Sequence, residues 1–69
     1  MKILNVSEHH LDIRIDQQEL LILNSALNEI VNGLALFEFE TRIGANRGRA
    51  AKLLEEIALA CDLTDIKRR

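Results

Sequence analysis

The chain has no proline, tryptophan or tyrosine, one cysteine, three glycines and two aromatic residues, Phe37 and Phe39. Each shortage excludes something. A lone Cys61 can form neither an internal disulfide nor a cysteine zinc cluster, so a reducing cytoplasm is the expected compartment. Cys61 itself reads as a small apolar side chain on a helix face. Two phenylalanines make no platform on which nucleic-acid bases could stack. Apolar runs such as Leu34–Phe37 fall far short of the ~20 residues that span a bilayer. Met1-Lys2, then Ile3-Leu4 and Asn5, form no signal-peptide apolar region, so neither a membrane nor export is expected. A chain of 69 residues has room for one small core, without a deep enclosed active site.

What is present is charge, unevenly placed. The net charge is −2, with 29% charged residues, ordinary for a folded cytoplasmic protein. Residues 1–40 carry two bases against seven acids, whereas residues 41–69 carry seven bases against four acids. An acidic front and a basic back predict two electrostatically different surfaces, or attraction between them within the fold.

Local patterning predicts an α+β fold. Ile3–Val6 is β-prone, with Leu4 and Val6 on one side. Leu11, Ile13 and Ile15 alternate with Asp12, Arg14 and Asp16, the period of a half-buried strand. Ser7-Glu8-His9-His10 between them reads as a hairpin loop. Asp16 and Glu19 have capping-box spacing at the start of a helix over 17–32. Its apolar face combines Leu20, Leu23, Leu27, Ile30, Val31 and Leu34, and Gly33 stands where a left-handed cap is expected. Phe37, Phe39, Thr41 and Ile43 alternate with Glu38, Glu40 and Arg42, which predicts an extended segment or third strand closed by Gly44. Asn46 is an N-cap for a second amphipathic helix over 47–61, with Ala50, Leu53, Leu54, Ile57 and Cys61 inside. The organisation expected is a single α+β domain over 1–61, helices packed on one sheet face, and a polar, basic C-terminal tail over 62–69.

No arrangement of residues points to catalysis. Ser7 lies near His9 and His10, but no Gly-x-Ser-x-Gly elbow accompanies it. His9-His10 with Glu8 is the one imidazole cluster, and adjacent strand residues face opposite ways, so a solvated turn is expected rather than a metal site. Glu38 and Glu40 would share a strand face about 7 Å apart, without a cleft to hold a substrate. No catalytic residue, metal or cofactor is assigned.

Two surfaces remain. Asn24, Asn28 and Asn32 recur every four residues beside the first helix's apolar face, with Glu29 near them. Three asparagines are poor helix formers and need a reason. Together with Glu38 and Glu40 they form a candidate partner-binding face; the alternative is that they bond neighbouring backbone, with Glu29 paired to Arg42. The second surface is Arg47, Arg49 and Lys52 at the start of the second helix. Free helix amides plus three cations suit an anion, although the glycine spacing is not that of a phosphate loop. These bases could equally neutralise internal acids. Lys67, Arg68 and Arg69 would join them on a nucleic acid, but net negative charge and scarce aromatics argue against that partner.

The run Ala26-Leu27-Asn28-Glu29, Gly33 and Glu38-Phe39-Glu40-Thr41-Arg42-Ile43-Gly44 resembles a group of small, largely uncharacterised bacterial proteins, over roughly residues 11–57. Some of these look like immunity proteins that bind and block a toxin. The resemblance implies a protein-binding module and carries no residue-level mechanism. The function expected is therefore a small cytoplasmic protein-binding module, immunity- or inhibitor-like, with a toxin among the partners implied. A homodimer is expected from apolar residues outside the helix stripes, Leu21, Ile22, Leu59 and Leu63. The alternative is an anion or nucleic-acid binder centred on Arg47, Arg49 and Lys52.

Overall fold

A computed structural model describes residues 1–33 and 35–68; the expectations placed on Leu34 and Arg69 lie outside the described residues. The order is strand, strand, helix, π-turn, short helix and long helix, in agreement with an α+β fold opened by a hairpin.

Strands β1 (Lys2–Val6) and β2 (Leu11–Arg14) pair antiparallel across the 7–10 loop. The Ser7 N–H donates to the His10 carbonyl at 2.9 Å, and the Ser7 hydroxyl donates to the same oxygen at 3.2 Å. The register sets Lys2 opposite Arg14, Ile3 opposite Ile13, Asn5 opposite Asp12 and Val6 opposite Leu11, with a bulge at Leu4. The bulge takes Leu4 out of the alternation, so the facing differs from the one expected with Leu4 beside Val6. Ile3 and Val6, three apart, fall on one face with Ile13 and Leu11, while Lys2, Asn5, Asp12 and Arg14 take the other.

Helix α1 (Gln17–Asn28) starts as its sequence predicts. The Glu19 N–H donates to the Asp16 carboxylate at 2.8 Å, and the Asp16 N–H donates to Glu19 Oε1 at 3.2 Å. This reciprocal pair satisfies two otherwise orphaned amides. The helix then widens into a π-turn over Glu29–Gly33. Gly33 does not adopt the expected left-handed conformation. Its missing side chain instead makes room for Glu29, whose carboxyl carbon lies 2.7 Å from where a Cβ would be.

The 36–43 segment corrects the expectation of a third strand. Helix α2 (Phe39–Ile43) replaces it, entered through Glu38 in the left-handed region (φ 54°) and ended by Gly44 (φ 87°), whose N–H donates to the Glu40 carbonyl at 2.8 Å. Helical spacing explains the outcome. Phe39 and Ile43, four apart, turn inward together, while Phe37 is left 78% exposed.

Helix α3 (Arg47–Arg68) is capped by Asn46, whose side-chain oxygen accepts from the Arg49 N–H at 2.8 Å. It runs seven residues beyond the expected end at Cys61. Neither glycine nor proline follows Cys61 to stop it, so the predicted polar tail continues as helix.

Val31, Phe39 and Ala50 are the buried core, with Leu27, Ile30, Leu36, Ile43, Ala51 and Leu54 packed around them. Helices α1 and α3 pack on one another. The expected helix-on-sheet layer does not form: every strand residue is exposed. The helical stripes find their cover in each other and leave none for the ribbon. Two expected core residues also move outward, Leu23 and Leu53, both exposed. Half-buried Leu20, Asn24 and Leu27 form the inner line of α1, so an asparagine stands where a leucine was expected.

Candidate interaction surface

The partner-face residues divide into three groups. Asn28 and Asn32, one turn apart across the α1–π-turn junction, are exposed and joined by a hydrogen bond of 3.0 Å from Asn32 Nδ2 to Asn28 Oδ1. Glu29 is exposed and lies back over Gly33. It forms no ion pair with Arg42 among the described residues. Glu38 and Glu40 are exposed at the start of α2. Two residues apart at a helix start they do not face each other, which corrects the shared strand face expected of them.

Asn24 differs from the rest. It is half-buried, and its Oδ1 is shut off from solvent with no hydrogen-bond partner. A buried amide oxygen left unpaired is costly. Asn24 is thus turned toward the interior, whereas Asn28 and Asn32, further along the same stripe, are exposed.

Glu38 stands out for its backbone. It is the one non-glycine with positive φ among the described residues, and its side chain makes no capping bond. For an L-residue that conformation costs about 1–2 kcal/mol. Sequence alternation concealed this, because Phe37–Ile43 reads equally well as a strand.

The basic cluster is broken up by its own packing. Arg47 turns back toward the end of the first helical segment. Its guanidinium donates to the Val31 carbonyl and lies over the Phe39 ring, 4.5 Å from the centroid. A cation there satisfies a carbonyl left over at a helix end and complements the negative pole of the dipole. The amide of Arg49 is occupied by Asn46. Exposed Arg49 and Lys52 are what remains of the three-cation set, and the side chains of Lys67 and Arg68 lie outside the described residues.

In the hairpin loop, His9 Nε2 lies 3.7 Å from Glu8 Oε1, both exposed. No group of three metal-ligating side chains converges among the described residues. At the other end of the ribbon, the Met1 ammonium donates to both Glu19 oxygens at 2.7 and 2.8 Å. That ammonium, followed by the Asp16 backbone bond, holds the Glu19 carboxyl below its ordinary value. No helix is long and apolar enough to cross a membrane among the described residues.

Sequence reasoning placed Leu11 and Ile13 on the ribbon's apolar face but set Leu4, not Ile3, beside Val6. The signal was available: with Leu4 skipped, β1 alternates polar and apolar, as β2 does. The chain matches no family model, no curated protein and no solved structure.

Proposed function

We propose that this chain is a small cytoplasmic protein-binding module of the inhibitor or immunity kind, acting by surface complementarity and not by chemistry. The observation that carries the reading is Glu38, an exposed carboxylate held in left-handed backbone with no internal partner. Strain of this kind concentrates at binding and switch sites. Glu40, two residues on from Glu38, and Glu29, Asn28 and Asn32 at the α1–π-turn junction add exposed negative charge and hydrogen-bonding groups. A partner presenting lysines or arginines, such as a basic toxin surface, fits that chemistry.

The competing reading, an anion or nucleic-acid site at the start of α3, draws less support because Arg47 is committed to Val31 and Phe39.

The deciding experiment is affinity capture from the native lysate with the wild-type chain and the double variant Glu38→Lys, Glu40→Lys. The wild type recovers a specific basic protein and the double variant loses it. Equal capture by both overturns the assignment of this surface. Salt-sensitive retention on heparin, abolished by Arg49→Glu with Lys52→Glu, would favour the anion reading instead.

A further inference from the structure

We infer that the apolar face of the β1–β2 ribbon is a homotypic interface on which a second copy of this chain packs. The inference is independent of the Glu38 surface and concerns a different part of the molecule.

The ribbon comes first. Its register places Ile3, Val6, Leu11 and Ile13 on one side, and these side chains are 39–68% exposed. An isolated two-stranded ribbon is at best marginally stable in water and requires something against its apolar face. Neither helix of this chain supplies it, since every strand residue is exposed.

The shape then says how much is missing. The principal extents are 38 × 33 × 16 Å, so the thin dimension accommodates little more than one helix with its side chains. Helices α1 and α3 supply the packed layers of this chain, and the ribbon stands outside them with every residue exposed. Its radius of gyration is 13.7 Å, against about 11 Å for a compact chain of this length. Its accessible surface is 5752 Å², against about 4,400 Å² for a monomer of its mass. The excess of roughly 1,350 Å² is larger than the ~800 Å² that each partner buries in a standard interface.

Charge selects the occupant. The ribbon's apolar face carries no ionisable side chain, and the charges around it balance: Lys2 and Arg14 against Glu8 and Asp12. A strongly acidic or basic partner finds nothing complementary there. A copy related by two-fold symmetry meets an identical, uncharged and equally apolar face, with no net repulsion.

The test is sedimentation equilibrium of the full chain from micromolar to millimolar concentration, beside Val6→Lys and Val6→Glu. The wild type is a dimer. Each variant raises the dimer dissociation constant by roughly 100-fold or more, because an unpaired charge is brought into an apolar contact. Val6 packs against neither helix, so helix content by circular dichroism stays unchanged. A second measurement needs no variant: isotope-filtered nuclear Overhauser spectra of mixed labelled and unlabelled wild type. These give intermolecular contacts among the Ile3, Val6, Leu11 and Ile13 methyls. A wild type that stays monomeric, a dimer indifferent to both substitutions, or intermolecular contacts confined to the helices would each overturn the inference.

Discussion

The guanidinium of Arg47 lies over the ring of Phe39 at 4.5 Å while donating to the carbonyl of Val31. One side chain thereby joins the π-turn, the short helix α2 and the start of α3 around Val31, Phe39 and Ala50. Truncation removes a charge-assisted hydrogen bond and a cation–π contact together. Arg47→Ala should destabilise the fold by about 1–3 kcal/mol, read from urea unfolding. Arg47→Lys should lie between the two, and Arg49→Ala should stay within about 0.5 kcal/mol of wild type. Equal effects at positions 47 and 49 would remove Arg47 from its place as the link.

Asn24 gives the opposite sign. Its buried Oδ1 has no partner, and the position lies on the inner line of α1 with Leu20 and Leu27. Asn24→Leu removes the orphan and adds apolar contact, a gain of about 1–2 kcal/mol. In a chain of this size each kcal/mol moves the midpoint by roughly 4–8 °C, well within reach of a thermal melt. A lowered Tm would mean that the amide has a bonding role in the folded chain.

Glu38 separates strain from side-chain identity. Glycine carries no steric penalty at φ 54°, so Glu38→Gly should stabilise by about 0.5–1 kcal/mol even after its own entropy cost. Glu38→Ala keeps the strain and should gain nothing. If both variants unfold at the same urea concentration, the left-handed backbone is without cost here.

The tether between Glu19 and the Met1 ammonium sets a pH dependence. The folded-state value of Glu19 is lowered, first by the ammonium and then by the Asp16 backbone bond. A lowered carboxylate binds fewer protons folded than unfolded, so its contribution is present above the ordinary carboxylate value. It fades as pH falls through the lowered one. Stability followed from neutral pH into the acid range should show this decline, and Glu19→Gln should flatten it. A Glu19 carboxyl carbon that titrates at its ordinary value by NMR would contradict the tether.

Much of the chain was legible because its signals are local. Asp16 with Glu19, Asn46 before α3, Gly44 after α2 and the 7–10 loop each satisfy backbone groups within a few residues. The parts that escaped depend on what lies across the fold. The Phe37–Ile43 run satisfies both a period of two and the four-residue step from Phe39 to Ile43; burial of Phe39 against Val31 and Ala50 decides for helix. Leu23 and Asn24 exchange expected places because packing against α3 fixes the rotation of α1, and the composition of its faces does not. Nothing local marks the Arg47 guanidinium as engaged, since its partners lie in two other elements.

The bulge at Leu4 has a consequence for the ribbon's outer edge. Without that residue, Lys2-Ile3-Asn5-Val6 would pair with Leu11–Arg14 in unbroken alternation and with the same facing. Leu4 therefore contributes nothing to the sorting of side chains, and what it changes is the backbone, which it bends and twists along an unpaired edge. A straight edge of β-branched residues is a template on which further chains can add without limit. The bulge at Leu4 bends the β1 edge away from that straight form.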